Sequence, residues 1–329
     1  MRFTEEHEAI RQTVRQLVDN EINPYWHEWE AAGIFPAHEV FKKFGDLGLL
    51  GISKPEAYGG TGLDYSYQIA YSEELGRIHS GGVSMALGVQ TDMATPALAK
   101  HGSDELRSEF LTPAISGDFV GSIAVSESHA GSDVAAIKTT AKKDGDDYII
   151  NGSKMWITNS TQADFLCLLA NTGGDHKHMN KSLIIVPTKT PGISFSDRLN
   201  KMGMRSSDTA QIFFEDVRVP AENLLLGEGR GFEIAQGRLG PGRIHHCMRL
   251  IGCAQRALDM ACERVEQRVA FGKPLSKQQS IRENIAQMHC DIEQARLLTL
   301  KAADKMDRYG NKVSRDLIAA IKIVAPTMA

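Results

Sequence analysis

The chain changes its hydrophobic periodicity twice, and these two changes constrain its fold more than any other feature. Up to about residue 118, apolar residues recur at helical spacing, as Ile10, Val14 and Leu17 do. From about residue 121 they alternate with polar residues, as in strands, and from about residue 243 the helical spacing returns. We therefore predict an α+β fold of three parts, with an N-terminal helical domain over 1–118, a middle β-domain over 119–228 and a C-terminal helical domain over 229–329.

The middle part predicts a small antiparallel barrel or sandwich. Its strand-like runs cover residues 121–126, 139–142, 147–150, 154–158, 164–170, 182–187, 193–196 and 210–219. Two hairpin turn signals separate the early runs, one at 143–146 and one at Asn151-Gly152. The glycine-rich loop 227–231 has no βαβ unit around it, so it predicts a hinge between domains rather than a dinucleotide fingerprint. A long helix is predicted over 243–270.

Two short stretches of the middle part carry residues suited to binding a flat heterocycle. The first is Ser-Glu-Ser-His-Ala-Gly-Ser-Asp at 126–133, and the second is Lys-Met-Trp-Ile-Thr-Asn at 154–159. We expect both on strands of one antiparallel sheet, where Trp156 and Thr158 share a face and place an apolar wall beside a hydroxyl. Gly131 allows a tight turn with backbone N–H groups available. From the residues alone, a core tryptophan and an ordinary turn remain the alternatives.

Composition excludes several classes of function. The 329 residues carry a formal net charge of -4 without a dense basic run, which argues against nucleic acid as a partner. No apolar run approaches the roughly 20 residues that span a bilayer. Five cysteines without a C-x-x-C pair predict buried free thiols. No third ligand accompanies His176 and His178, so we expect a solvated loop there and no metal.

The two stretches, in this order, resemble the acyl-CoA dehydrogenase family of flavoproteins, and the resemblance covers essentially the whole chain. It implies the acyl-CoA dehydrogenase fold with FAD as cofactor, Trp156 against the flavin ring and Thr158 near the flavin N5. Ser132 would also touch the acyl-CoA substrate, and the region 88–95 would border the acyl pocket. The remaining residues that the resemblance places along the flavin are Ile123, Val125, Ser126, Gly131 and Ile157.

A second set of site residues lies in the C-terminal third. The stretch Arg-Val-Ala-Phe-Gly-Lys at 268–273 resembles a family segment that reaches the FAD of a neighbouring subunit. A guanidinium suits this role because it pairs bidentately with pyrophosphate. The resemblance assigns to FAD Arg268, Ala270, Phe271, Gln278 and Gln279, and to the substrate Gly240, Gly242 and Arg243.

The catalytic carboxylate departs from the family pattern. In the family it removes the α-proton, and it stands either directly before the arginine that matches Arg243 or on a loop near the C-terminus. Gly242 occupies the first position, and the second would come after Ala329. We therefore expect no catalytic base within these residues, a base beyond Ala329, and a shortened form of a longer protein. Possible substitutes that match no family position are Glu233, Glu263, His245 and His246.

The resemblance implies FAD-dependent α,β-dehydrogenation of an acyl-CoA to the trans-2-enoyl-CoA in fatty-acid or branched-acyl catabolism. The helix start at 240–247 looks like the branch for longer or 4-hydroxy acyl-CoAs, whereas earlier residues look like citronellyl-type members. The alternatives are a non-catalytic assembly protein and an oxidase using oxygen. The implied partners are an electron-transferring flavoprotein and further copies of this chain, in a dimer or tetramer through the C-terminal helices. The implied location is the mitochondrial matrix of a eukaryote or the cytoplasm of a bacterium.

Overall fold

A computed structural model describes residues 3–174 and 179–329, so His176 and His178 lie outside the described residues. The chain forms two compact units, each built from separate segments. Unit 1 comprises Met1–Asn23, Asp64–His79 and Gly240–Ala329, and unit 2 comprises Pro24–Leu63 and Ser80–Leu239. The boundaries predicted at 118 and 228 stay a prediction, because these units follow spatial clustering rather than chain order.

The N-terminal third is helical, as predicted. Its helices are α1 (Glu5–Leu17), α2 (Trp26–Ala32), α3 (Ala37–Asp46), α4 (Tyr65–Leu75), α5 (Gly81–Gly88), α6 (Thr95–His101), α7 (Asp104–Leu106) and α8 (Thr112–Ile115). Wider π-type turns occupy Val18–Ile22, Val89–Ala94 and Arg107–Leu111. Thr4 is the N-cap of α1, and its backbone N–H donates to His7 Nδ1 at 3.0 Å.

The middle third is a sheet, and the predicted fold class is confirmed. Its strands are β1 (Gly121–Ala124), β2 (Thr140–Asp144), β3 (Asp147–Thr158), β4 (Phe165–Asn171), β5 (Lys181–Pro187), β6 (Ile193–Phe195), β7 (Thr209–Pro220) and β8 (Leu224–Leu225). They run in the order β6-β7-β3-β2-β4-β5-β8, with β1 beside β4. The 143–146 turn joins β2 to β3 as predicted.

Two details of the predicted sheet are wrong. Asn151-Gly152 is not a hairpin turn but an irregularity inside β3, because β7 continues to pair with β3 on both sides of it. Gly152 has φ 140 and lies against Thr139, so the residue without a Cβ accommodates a bulge rather than a turn. The first motif, at 126–133, does not lie on a strand as expected, because β1 ends at Ala124 and the next strand begins at Thr140.

Strand β4 is buried on both faces, which explains its unbroken apolar sequence. One face, with Phe165, Cys167 and Leu169, packs with the helical residues Leu98 and Phe110 in one cluster. The other face packs against strands of the same sheet, through Leu166, Leu168 and Ala170. In unit 2, β4 therefore lies between a helical layer on one face and strands of the same sheet on the other face.

The C-terminal third begins its helix earlier than predicted. Its elements are α9 (Gly231–Gln267), β9 (Val269–Ala270), β10 (Lys273–Pro274), α10 (Gln279–Tyr309) and α11 (Arg315–Met328). The predicted start at residue 243 is wrong, because α9 begins at Gly231 and runs through Pro241. Tyr65 Oη donates to the Pro241 carbonyl at 3.1 Å, which gives that carbonyl a partner inside unit 1.

Unit 1 has its own apolar core, to which α4, α9, α10 and α11 contribute. Ile69, Ile251, Ile292 and Ile318 belong to one buried cluster. The expectation of buried thiols is confirmed for Cys167 and Cys247. It is wrong for Cys290, which is exposed, and Cys253 and Cys262 are only partly buried. Cys290 lies on the exposed side of α10, where helical spacing alone did not distinguish the two faces.

His245 is fully buried in α9, and this makes unit 1 sensitive to acid. Burial, with a smaller contribution from Arg249, lowers its pKa from 6.5 to about 3. Between these two values the unfolded chain binds a proton that the folded chain does not, so the free energy of unfolding falls as pH falls. The expected loss is about 1.4 kcal/mol per pH unit.

We expect His245→Leu to remove this pH-dependent part of the stability. Urea unfolding from about pH 7 to about pH 5 measures it, and the slope of unfolding free energy against pH should decrease in the variant. His289→Gln, at an exposed position of α10, is the matched control. Equal slopes in the wild type and His245→Leu would contradict the prediction.

Candidate active site

The two sequence motifs are joined in unit 2 by direct hydrogen bonds rather than by strand pairing. The Met155 N–H donates to the Ser126 carbonyl at 2.9 Å. The Ser122 hydroxyl donates to the Thr158 carbonyl at 2.6 Å. The second stretch is thus fixed to the start of the first stretch at Met155 and to β1 at Thr158. The predicted residues Ser126 and Trp156 lie close together because Met155 precedes Trp156.

A buried ion pair between Glu127 and Lys154 fixes the same junction. Lys154 Nζ is 2.9 Å from Glu127 Oε1 and donates to the Val125 carbonyl at 2.9 Å. The Glu127 carboxylate also accepts the backbone N–H groups of Lys138 at 2.7 Å and Thr139 at 2.9 Å. One carboxylate therefore closes the loop between residues 127 and 139 and attaches it to β3.

Both members of this pair have perturbed pKa values. Burial alone would raise the pKa of Glu127, but the charge of Lys154 and the backbone N–H groups lower it below its usual value. Burial lowers the pKa of Lys154 to about 8, although Glu127 opposes that shift. We infer that both groups are charged at neutral pH, because the carboxylate accepts three hydrogen bonds and the ammonium lies directly against it.

Trp156 is held out of the core by its backbone. Its φ is 65, a left-handed conformation that is uncommon for a bulky residue, and its pairing with β7 is interrupted between Lys154 and Ile157. The side chain is 60% exposed, whereas the neighbouring Ile157 is 3% exposed and Thr158 is partly buried. Such an outlier at an exposed aromatic residue indicates a functional surface rather than core packing.

The loop that carries Gly131 and Ser132 leaves room for a ligand. Both residues are exposed, and a Cβ at Gly131 would meet no atom within 4 Å. The Glu127 and Ala130 backbones bond to each other at 2.9 and 3.1 Å, which makes the turn before Gly131 tight. The residues present therefore fit a flat ring system that rests on Trp156 and approaches the Gly131 backbone closely.

Asn159 is a site-forming residue to which the sequence assigned no role. It is fully buried with φ 64, and its Nδ2 donates to the carbonyls of Ala86 at 3.2 Å and Gly121 at 3.4 Å. It therefore ends β3 and ties it to β1 and α5. Asparagine tolerates the left-handed region better than most residues, and its place directly after Thr158 was the available signal.

The second predicted FAD segment lies in unit 1, so the structure does not by itself place it beside Trp156. Val269–Ala270 and Lys273–Pro274 form a two-stranded hairpin, and Phe271 at its tip is 95% exposed with φ 53. Arg268 and Gln279 are exposed, while Ala270 and Gln278 are partly buried. Their role at the FAD stays a prediction.

The predicted substrate residues lie inside α9. Gly240 is buried, Gly242 is partly buried and Arg243 is exposed. Of the substitutes for a base, His245 is buried in the core, and Glu233 is an exposed partner of Arg230 at 2.7 Å. Across residues 3–174 and 179–329, no three His, Cys, Asp or Glu side chains are grouped so as to hold a metal ion.

Family models match almost the whole chain. The acyl-CoA dehydrogenase N-terminal domain matches residues 4–118, the middle domain matches 122–217 and the C-terminal domain matches 229–329. The three matched domains therefore define an oxidoreductase. The chain belongs to the acyl-CoA dehydrogenase family.

Relatives agree with this assignment. The chain is 40% identical over 300 residues to the mitochondrial short-chain specific acyl-CoA dehydrogenase of Rattus norvegicus, covering 91% of this chain and 72% of the relative. It is 39% identical over 329 residues to the probable acyl-CoA dehydrogenase YngJ of Bacillus subtilis, covering 99% of this chain and 85% of that protein.

Solved structures share the fold. Butyryl-CoA dehydrogenase from Megasphaera elsdenii has a TM-score of 0.94 at 33% identity, covering 100% of this chain and 86% of that one. An acyl-CoA dehydrogenase from Bacillus anthracis, complexed with FAD, has a TM-score of 0.88 at 30% identity, covering 99% of this chain and 55% of that one. A chain from a study of the electron transferring flavoprotein of Acidaminococcus fermentans has a TM-score of 0.94 at 34% identity, covering 100% of this chain and 86% of that one.

These findings decide several predictions. The family is confirmed, and FAD is confirmed at the level of the family by a solved member that holds it. General acyl-CoA dehydrogenation is confirmed, whereas the branched-acyl and longer-chain preferences stay predictions. Within the described part of the chain, every helix is too short or too polar to cross a membrane. The oligomeric state and the location stay predictions.

Proposed function

We propose that this chain binds FAD along a flavin strip, defined as residues 125–126, 131–132 and 156–158, and oxidises an acyl-CoA there. The observation that carries this proposal is Trp156. Its indole is 60% exposed and its backbone is held at φ 65, one hydrogen bond away from Ser126. A chain without a ligand for this surface would gain stability by burying the indole, so the arrangement supports a bound ring system.

Each part of the flavin strip has a separate role in the proposal. The Trp156 indole offers a flat apolar face for stacking. The Thr158 hydroxyl offers a donor beside it, and the backbone around Gly131 and Ser132 offers N–H groups to polar ring edges. FAD held there would supply an acceptor for the hydride of the acyl β-carbon. The residues of this chain position the ring system and form hydrogen bonds with its polar edges.

We further propose an electron-transferring flavoprotein as the electron acceptor. The structural likeness to a chain studied with such a flavoprotein supports this choice. Formation of hydrogen peroxide during acyl-CoA oxidation would instead indicate an oxidase. Gly242 supplies no carboxylate, so flavin content and ligand binding are better first readouts than turnover.

The direct test is to express the chain as written and record the visible spectrum of its size-exclusion peak. A flavin band that co-elutes with the protein near one flavin per chain is expected. Bleaching of this band by an acyl-CoA would then identify substrates. A folded, monodisperse protein that takes up no FAD on reconstitution would overturn the proposal.

Trp156→Ala is expected to weaken FAD retention by about tenfold or more, because stacking on an aromatic face contributes about 1–3 kcal/mol per ring. Trp156→Phe keeps an aromatic face and should retain most of the affinity. Tyr309→Ala, at another exposed aromatic position, should leave flavin content unchanged. The measurement is the fraction of bound flavin that each variant releases on dilution. Equal retention in Trp156→Ala and the wild type would count against the flavin strip.

A further inference from the structure

The end of strand β3, which carries Thr158, has an unusual backbone shape. Trp156 has φ 65 and Asn159 has φ 64, and both values lie in the left-handed region that residues other than glycine rarely adopt. Between these two residues, Ile157 is 3% exposed, and Thr158 still pairs with Thr209. The backbone departs from ordinary strand geometry on both sides of Thr158, so the place of its hydroxyl depends on the groups that hold this segment.

Ser122 of β1 holds the Thr158 peptide by its carbonyl. Its hydroxyl donates to the Thr158 carbonyl at 2.6 Å, and the Ser122 side chain is fully buried. Strand β1 takes its backbone partners from β4, where Ser122 lies beside Leu166. The bond to Thr158 is therefore an additional link that one side chain makes, and alanine at this position could not make it.

Asn159 holds the peptide that follows Thr158. Its Nδ2 donates to the carbonyls of Ala86 at 3.2 Å and Gly121 at 3.4 Å. Its backbone N–H donates to the Asp208 carbonyl at 3.2 Å. Three separate segments of unit 2 thus fix the residue directly after Thr158, namely α5, β1 and the stretch before β7.

Stability alone explains Asn159 poorly. The residue is fully buried in a left-handed conformation, and no described residue donates a hydrogen bond to its Oδ1. A strained backbone and a buried oxygen without a protein donor both destabilise a fold. Residues that combine such costs occur most often where a functional group must be held in place. The group beside Asn159 is Thr158, whose hydroxyl belongs to the flavin strip.

A further buried amide fixes the strand on which these links depend. The Gly121 N–H donates to Gln90 Oε1 at 2.7 Å, and the Gln90 side chain is fully buried. Gln90 Nε2 donates to the carbonyls of Ala114 at 3.0 Å and Phe119 at 2.8 Å. The start of β1 is therefore tied to the turn Val89–Ala94. Side chains that are locked in this way can hold a neighbouring group precisely.

We propose that Ser122 and Asn159 are positioning residues that set the Thr158 hydroxyl against the FAD ring system. This inference rests on the proposed function, in which that hydroxyl is a donor to the ring. Ser122 acts through the Thr158 carbonyl, and Asn159 acts through the peptide that follows. A hydrogen bond weakens steeply as its angle departs from linear, so a small rotation of this peptide changes the contact with the ring. Hydrogen bonds to a flavin ring tune its electronic properties.

The visible spectrum and the midpoint potential of the bound flavin test this proposal in the FAD-loaded chain. Thr158→Val removes the hydroxyl and gives the reference shift. We expect Ser122→Ala and Asn159→Gly to shift the flavin band and the potential in the same direction. Each should also weaken FAD retention by about two- to tenfold, the effect of one hydrogen bond. Glycine accepts the left-handed backbone, so Asn159→Gly tests the amide and not the strain. Ser122→Thr keeps a hydroxyl and should retain the wild-type band.

Asn223→Gly is the matched control for a purely structural role. Asn223 is also a buried asparagine of unit 2, and its Nδ2 donates to the Ile185 carbonyl at 2.8 Å. This variant should lower the midpoint of thermal unfolding and leave the spectrum of bound FAD as in the wild type. Spectra are recorded after reconstitution with excess FAD, so that the folded, loaded protein is observed. If Asn159→Gly does not fold, the comparison of Ser122→Ala with Ser122→Thr decides.

The outcomes separate this inference from the proposed function. A shifted band in Thr158→Val with unshifted bands in Ser122→Ala and Asn159→Gly overturns the inference alone. An unshifted band in Thr158→Val removes the Thr158 hydroxyl from the flavin strip, and the inference falls while FAD binding by the wild type still supports the rest of the strip. A wild-type chain that takes up no FAD overturns the proposed function and the inference together.

Discussion

Lys154→Met is expected to destabilise unit 2 by about 3–5 kcal/mol and to abolish FAD retention. The methionine fills most of the space of the lysine stem but leaves the Glu127 carboxylate, which is 5% exposed, without its cation. The Val125 carbonyl loses its donor as well. Since this junction holds the first motif against β3, the flavin strip should lose its geometry together with its stability.

Guanidinium chloride unfolding and flavin content are the measurements for Lys154→Met. Arg218→Met is the matched control, because Arg218 lies on the same sheet and pairs with Asp144 and Asp147 in an exposed position. That variant should lose less than about 1 kcal/mol. The double variant Glu127→Gln with Lys154→Met should be more stable than Lys154→Met alone, because it removes the unpaired carboxylate. A Lys154→Met protein as stable as the control would refute a structural role for the pair.

Lys154 also shows where sequence reasoning stops. Strict alternation places Lys154 on the same face as Trp156, which predicts an exposed lysine. The structure buries Lys154 completely and exposes Trp156, because the pairing with β7 shifts between Lys154 and Ile157. A bulge depends on the partner strand, so the periodicity of one strand does not contain it.

Local patterns predicted what depends on local residues. The alternation located β1 to β7 to within a few residues, although it divided β3 into two runs and missed β8, and the turn signal at 143–146 was correct. The neighbour of β1 was not predictable in this way, since Gly121 pairs with Phe165 across a large sequence separation. The two motifs were recognised as one site through a resemblance, whereas the buried Glu127–Lys154 contact that joins them required coordinates.

Glu73→Met is expected to destabilise unit 1 by about 3–5 kcal/mol, the second large effect. Glu73 of α4 pairs with Arg11 of α1 and, at 2.8 Å, with Arg296 of α10. The side chains of the two arginines are 12% and 15% exposed, and that of Glu73 is 7% exposed, so water replaces the lost carboxylate poorly. Removing this one group takes away the buried carboxylate that Arg11 and Arg296 share, so that Arg11 keeps its longer contact with Glu74 and Arg296 keeps the more exposed Glu293.

Glu293→Met supplies the comparison that isolates burial from charge. Glu293 pairs with the same Arg296, but its side chain is 41% exposed, so its loss should cost less than about 1 kcal/mol. Urea unfolding of both variants, at low and at high salt, measures the difference. The effect of Glu73→Met should persist at high salt because a buried pair is screened little, whereas equal losses in the two variants would show that burial of Glu73 contributes nothing beyond its charge.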